Sequence, residues 1–303
     1  MLSILIPVYN CNCLQLVRNL NYQGSKAEIP YEILVMDDGS TVLYQDNEKI
    51  NELPNCSYIS SPINIGRAAI RNRLADVAHF NYLLFIDCDA SVCSNKFIQN
   101  YIPYLNKNQV VCGGCNYDKQ LIDRSYSLRW IYGKKREERI ASKKNSSSFN
   151  SFTTFNFLIP KEVFMAIRFN EKIKSYGHED TLFGHNLRAK NNFYIHIDNS
   201  LKHSGLDENK LFLTKTEESI RTLLSLYQSK EYPFLITDSK LLSYYLIILK
   251  KKLLFPIQIL FCLTRRILFL QLTSSYPLLV LFDFYKLGYL CEISKKPNDI
   301  LSV

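Results

Sequence analysis

Two carboxylates one residue apart, Asp87 and Asp89, close an apolar run, Tyr82-Leu83-Leu84-Phe85-Ile86-Asp87-Cys88-Asp89. A short apolar run that stops abruptly in charge reads as a buried strand. Open α/β sheets bind ligands at the carboxyl ends of such strands. Residues i and i+2 share a face in extended chain, so the spacing predicts that both acids face one ligand. Hard oxygen donors of this kind suit a divalent cation that phosphate oxygens also hold. Gly177-His178-Glu179-Asp180 offers a second acidic site. Acids at a helix start are favoured by the dipole, so capping is one explanation. The other is a general base that takes a proton from a nucleophilic hydroxyl. His203 follows, and its imidazole suits Mn²⁺ and similar ions beside Asp89.

Two further stretches carry polar groups at turn positions. Asp37-Asp38-Gly39-Ser40 follows an apolar run; it reads either as an ordinary turn or as carboxylates that accept hydrogen bonds from a base or ribose. Asn64-Ile65-Gly66-Arg67-Ala68-Ala69-Ile70-Arg71-Asn72 enters a helical stretch. Its backbone N–H groups and the guanidinium forks of Arg67 and Arg71 are suited to phosphate, against the plainer alternative of a solvated helix face.

The elements needed to position these groups alternate. Ser3–Val8, Tyr31–Met36, Ser57–Ser60, Tyr82–Ile86, Gln109–Gly113 and Phe155–Pro160 read as strands. Leu14–Asn21, Ala68–Ala78 and Lys161–Ala166 read as helices. Strand-helix alternation predicts an α/β fold, a mostly parallel sheet flanked by helices. Residues 134–148, charged and then serine-rich, predict a mobile surface loop. Beyond His203-Ser204-Gly205 the character changes. Lys210–Gln228 suits a helix, and residues 241–285 are apolar runs broken by Lys250-Lys251-Lys252 and Arg265-Arg266. The expected division is a catalytic domain over residues 1–210 and a helical extension over 211–303.

The chain of 303 residues is 47% hydrophobic and 21% charged, enough apolar content for a sizeable core and unlike a disordered chain. Leu2–Val8 lacks the basic flank and cleavage site of a signal peptide, so the expectation is a cytoplasmic protein whose first strand begins almost at once. Nine cysteines then predict reduced thiols. The Cys112-Gly113-Gly114-Cys115 pair lacks partners spaced for zinc. Net charge is +9, and the residues from 241 onward hold eight Lys/Arg against three Asp/Glu. Basic and apolar together point to an anionic membrane surface or, alternatively, to a helical subdomain packed on the core. No nucleic-acid-binding signature is present, and no clear membrane span is expected, because charges interrupt the apolar runs.

In order along the chain stand Ser3-Ile4-Leu5-Ile6-Pro7-Val8-Tyr9-Asn10, Asp37-Asp38-Gly39-Ser40, Asn64-Ile65-Gly66 with Arg71-Asn72, Asp87-Cys88-Asp89 and Glu179-Asp180. The series resembles family 2 of the inverting glycosyltransferases with the GT-A fold, over residues 1 to about 205. The resemblance implies that Pro7, Tyr9 and Asp38 hold the nucleoside, with Asn64, Gly66 and Arg71 near the nucleotide and Asp87 on ribose or donor sugar. Asp89 would bind Mg²⁺ or Mn²⁺ on the diphosphate, with His203 as a ligand present in some members. Asp180 would be the base, and Glu179 would help to position the acceptor. The implied partners are a nucleotide-sugar donor, favoured as UDP-linked, and a glycan or lipid-linked acceptor of cell-surface polysaccharide synthesis. The Q-x-x-R-W motif of processive synthases is absent after the acids: Arg129-Trp130 precedes His178, and Tyr126 stands in the Gln position. That favours addition of a single sugar. A sugar-phosphate nucleotidyltransferase is the alternative, although Tyr9-Asn10-Cys11-Asn12-Cys13 replaces the glycine-rich segment expected of one. A non-catalytic glycan- or nucleotide-binding protein is the other.

Overall fold

The computed structural model describes residues 1–138, 140–145, 152–191 and 193–294, without the side chains of residues 142 and 144. It divides into two compact units. The first comprises Met1–Asp118, Arg136–Lys174 and Glu179–Gly205, and the second Lys119–Lys135, Ser175–His178 and Leu206–Val303.

The first unit is built on a sheet of seven strands: β1 (Leu2–Val8), β2 (Tyr31–Asp38), β3 (Cys56–Ser61), β4 (Tyr82–Ile86), β6 (Val110–Cys112), β8 (Asn156–Pro160) and β9 (Tyr194–His196), in the order β3-β2-β1-β4-β8-β6-β9. β1, β2, β3 and β4 are parallel, whereas β8 runs antiparallel to both β4 and β6. A small second sheet joins β5 (Ala90–Ser91), β10 (Leu201–His203) and β7 (Cys115–Asn116). Helices α1 (Leu14–Ser25), α2 (Arg67–Val77), α4 (Ala141–Asn145), α5 (Lys161–Ile167) and α6 (Glu179–Ala189) complete this unit.

Strands buried on both faces read as continuous apolar runs, and their two-residue period divides the core. Ile4, Ile6, Ile33, Val35, Leu84, Ile86 and Leu158 fill one face with Leu16, Val17 and Leu20 of α1. Leu5, Leu34, Met36, Leu83, Phe85, Phe157 and Ile159 fill the other with Ile70 and Leu74 of α2 and Phe183 of α6. The second face is strongly aromatic: Phe85 stacks on Phe157 at 4.9 Å and on Phe164 at 5.0 Å.

Over residues 134–138 and 140–145 the structure differs from the expected mobile loop. Gly133–Glu137 is a π-helical turn continuing α3 (Ser127–Tyr132), and α4 follows. Asn145 bonds both the carbonyl and the N–H of His196, at 2.9 and 2.8 Å, and the Ala141 N–H donates to Asp198 at 2.8 Å. These bonds to β9 and to Asp198 just beyond it hold α4, in a segment whose composition alone reads as loop. Arg139 and the serines Ser146-Ser147-Ser148 lie outside the described residues.

The second unit is helical: α3, α7 (Asn209–Gln228), α8 (Leu235–Asp238), α9 (Lys240–Lys250), α10 (Leu254–Leu272) and α11 (Leu279–Ile293). Arg265-Arg266 does not interrupt α10, since arginine is a good helix former and breaks only the hydropathy of the run. Among the described residues α10 is the one helix long and apolar enough to cross a membrane. The expectation of no clear span rested on the two charges within it, Arg265-Arg266. Lys295, Lys296 and Asp299 from the C-terminal charge excess lie outside the described residues.

Candidate active site

The carboxyl ends of β1, β2 and β4 lie side by side at one edge of the sheet, with β1 central. Chain order reverses across β1, the switch point at which open sheets bind ligands. Most of the candidate residues lie here.

At the β1 and β2 tips, Val8 pairs with Asp37. Asp37 closes its own turn, accepting from the Ser40 N–H at 2.8 Å and the Ser40 hydroxyl at 2.6 Å. Asn10, in the left-handed region, accepts from the N–H groups of Thr41 and Val42 and so ties the two tips together. Pro7 is half-buried in β1, and Tyr9 is exposed just beyond it. Asp38 is buried. Its carboxylate accepts from the N–H groups of Ile65 and Gly66, at 2.7 and 2.9 Å. Burial pushes its pKa up, against those two hydrogen bonds. Asp38 thus already holds two of the N–H groups expected to meet an anion, those of Ile65 and Gly66. Gly39 has φ 66°, and a Cβ there would stand 2.5 Å from the Asn64 nitrogen, so only glycine lets this turn approach the 62–66 loop. Asn64 is itself exposed.

Arg71 is the centre of a second group. Its guanidinium is buried and meets Asp87 at 2.6 Å, and a second nitrogen donates to the Arg67 carbonyl at 3.1 Å. It is therefore committed to a carboxylate rather than open to phosphate. Arg67 is mostly exposed, 3.8 Å from Glu179. Glu179 and Asp180 open α6. The Asp180 pKa is pushed up to about 6, first by burial and then by the charge of Glu179. The Thr181 N–H and hydroxyl and the Arg71 charge pull the other way, and the helix dipole favours the anion too. Burial outweighs them all, leaving a carboxylate basic enough to take a proton near neutral pH.

Asp87 and Asp89 do not share a strand face. β4 ends at Ile86, and the Ala90 N–H turns back to the Asp87 carbonyl at 3.1 Å. The extended spacing assumed from the sequence is lost in that turn. Asp87 goes to Arg71, and Asp89 faces His203, Oδ2 to Nε2 3.6 Å. Burial pushes the Asp89 pKa up; a protonated His203 would lower it and the Asp87 charge raises it. The two halves still touch, since the Ser204 N–H donates to the Asp89 carbonyl at 2.9 Å and β10 pairs with β5.

The Asp89–His203 pair fits a hard cation in part. Its 3.6 Å separation is too long for a hydrogen bond and near the roughly 3 Å between neighbouring ligands of an octahedral ion. Gly205 leaves room: a Cβ there would stand 2.6 Å from Asp89 Oδ2. Among the described residues no group of three or more His, Cys, Asp or Glu could hold a metal. A cation here would need further oxygens from a bound diphosphate.

Three neighbours escaped the sequence. The His203 ring lies between Tyr117 and Phe155, stacked at 5.6 and 5.2 Å, and Cys11 Sγ donates to the Cys88 carbonyl at 3.4 Å. Tyr117 and Phe155 carried no motif; only their aromatic character next to predicted strands could have pointed to them.

Comparison with known proteins gives this edge its context. The family model described as glycosyl transferase family 2 matches residues 3–168. An uncharacterized glycosyltransferase of Haemophilus influenzae is 28% identical over 124 residues, 39% of this chain and 47% of that protein. A chondroitin synthase of Escherichia coli is 24% identical over 233 residues, 66% of this chain and 34% of that protein. The matched region thus spans less than half the length of either relative. A mannosyltransferase from Pyrobaculum calidifontis, solved with GDP-Man and Mn²⁺, superposes with a TM-score of 0.50 at 15% identity. The superposition covers 75% of this chain and 64% of that one. The fold is thus the GT-A arrangement expected from the motif series. With the family model matching more than half of its length, the chain belongs to glycosyl transferase family 2.

Proposed function

We propose that the protein transfers one sugar from a nucleotide-sugar donor, UDP-linked by preference, to a hydroxyl of a glycan or lipid-linked acceptor, with inversion at the anomeric carbon. The observation that carries this reading is Asp180: a half-buried carboxylate opening α6, pushed up to about 6, beside Glu179 and within electrostatic reach of Arg71. Asp180 takes the proton of the acceptor hydroxyl, whose oxygen attacks the anomeric carbon. The bond from that carbon to the phosphate oxygen breaks, and the nucleoside diphosphate leaves with the bonding electrons. Glu179, held near Arg67, positions the acceptor. Asp38, with its lone pairs only partly used by Ile65 and Gly66, accepts from the base, against Pro7 and Tyr9. Arg71 fixes Asp87, which contacts ribose or sugar from that fixed position. Bound Mg²⁺ or Mn²⁺ would take Asp89 and His203 as ligands and neutralise charge on the leaving diphosphate. The families of the relatives support sugar transfer, one being a chondroitin synthase and another a mannosyltransferase.

The test is a panel of UDP-, GDP- and dTDP-sugars incubated with the protein and Mn²⁺, with released nucleoside diphosphate measured. Release from one donor, lost in Asp89→Ala and in Asp180→Asn, is expected. An Asp180→Asn protein that transfers at the wild-type rate would remove Asp180 from its role. Transfer that retains the anomeric configuration would overturn the single-displacement mechanism.

A further inference from the structure

α10 has two unlike sides. At about 100° per residue, Leu254, Phe261, Leu268 and Leu272 fall on one side, and all four are buried within the helical unit. Phe255, Ile259, Leu263, Ile267 and Leu270 fall on the other, with Leu260 at its margin, and all six are exposed, Leu263 at 74% and Phe255 and Ile267 at 69%. A helix of a folded unit normally turns such a stripe inward. Here the inward stripe is already filled, and a second apolar stripe faces out. Large contiguous patches of this kind mark interaction surfaces.

Charge identifies the occupant. Lys250, Lys251 and Lys252 stand exposed just before α10, and Arg266 lies at the edge of the outward stripe. The acids of the last two helices are already matched: Asp283 meets Lys286 at 2.9 Å and Glu292 meets Arg265 at 2.9 Å. Among the described residues Lys250, Lys251, Lys252 and Arg266 have no ion pair, and no acid lies on the outward face. A second copy of the same face would bring cations and no anions, leaving them unmatched. Anionic lipid headgroups would neutralise them while the apolar stripe enters the acyl boundary. Tyr244 and Tyr276, both exposed in this unit, are of the residue type that collects at that boundary.

We propose that α10 lies in the plane of an anionic membrane surface, its Phe255–Leu270 face inserted and Lys250–Lys252 on the headgroups. Length alone would allow α10 to span. Its filled inner stripe and the Arg265 pairs to Glu217 and Glu292 favour a helix immersed on one side only. This docking goes beyond sugar transfer and is measured without donor or acceptor, so either can fail alone.

The experiment is co-sedimentation of the full chain with phosphatidylglycerol–phosphatidylcholine vesicles and with phosphatidylcholine vesicles. Sedimentation with the anionic vesicles, weakened by salt, is expected. Replacing Lys250, Lys251 and Lys252 together by Gln should weaken it about fivefold per lysine, on the order of a hundredfold in all. The pair Leu263→Glu and Ile267→Glu, both at exposed positions, should abolish it with an unchanged circular dichroism spectrum. If that pair disturbs folding, the lysine variant decides. Wild-type protein that stays in the supernatant overturns the proposal, as does a lysine variant that binds as tightly as wild type. A wild-type dimer that the Glu pair converts to monomer, without vesicle binding, would assign the face to a second copy instead and equally overturn it.

Discussion

Arg71→Met separates a structural arginine from one that tunes the proposed base. Arg71 and Asp87 meet at 2.6 Å, with side-chain exposures of 5% and 29%. Removing one partner of a fully buried pair costs roughly 3–5 kcal/mol. Asp87 keeps part of its hydration, so the expected loss after screening is about 2–3 kcal/mol. Urea unfolding would read it as a lower midpoint at unchanged slope. The second effect concerns pH. Asp180 acts as a base only when ionised, and its pKa is about 6, so nucleotide release at limiting donor should fall as pH drops through 6. The Arg71 charge pulls that pKa down. Without it the Asp180 pKa rises further and the acidic limb moves toward neutral pH. Arg71→Lys keeps the charge and loses the fork, so it should restore most of the limb but not all of the stability. If Arg71→Met destabilises the protein while the limb stays at about 6, the electrostatic link between Arg71 and Asp180 is refuted.

Three other outcomes are expected. Asp180→Asn should lower turnover by roughly 10²–10⁴-fold while nucleotide still binds, as calorimetry with the nucleoside diphosphate would show. Gly205→Ala should push the Asp89 carboxylate aside, since the new Cβ would stand 2.6 Å from Oδ2; a tenfold or greater rise in the Mn²⁺ concentration for half-maximal activity is expected, roughly the scale of lost supporting contacts at metal sites. Asn156→Leu should cost about 2–4 kcal/mol by urea unfolding, because buried Asn156 accepts from Tyr101 and donates to Asn199 and Gly114, at 2.7, 2.9 and 3.3 Å.

The strands buried on both faces were legible, whereas the short β5, β7, β9 and β10 left no apolar run long enough to read. Leu2–Val8 and Tyr82–Ile86 have few polar residues to obscure the signal. Their ends carried the motifs, so the tips of β1, β2 and β4 and the start of α6 could be expected together. Geometry past the strand end was not legible. Nothing in Asp87-Cys88-Asp89 says that the chain turns at once and sends the acids to different partners. Side-chain commitments were hidden for a similar reason: Arg71 reads as a phosphate fork until Asp87 is seen to occupy it. The helical region was legible as helical, but not where its helices run on. Charges that break a hydropathy run leave helix propensity intact, so α10 passes through Arg265-Arg266 without a break.

The antiparallel β8 has a consequence for biosynthesis. It fills the free edge of β4, and the partner of Leu84 is Leu158, 74 residues later. At ~5–20 residues per second the growing chain carries β4 for roughly 4–15 s before that partner exists. Through this interval β1, β2, β3 and β4 can assemble as a parallel half-sheet, yet the β4 edge stays open, apolar and ready to pair with another nascent chain. Truncation products ending before residue 160 are therefore the ones expected to aggregate. The carboxyl tip of β4 is complete only once the ribosome has passed that point, when the Asp87 N–H finds the Phe155 carbonyl.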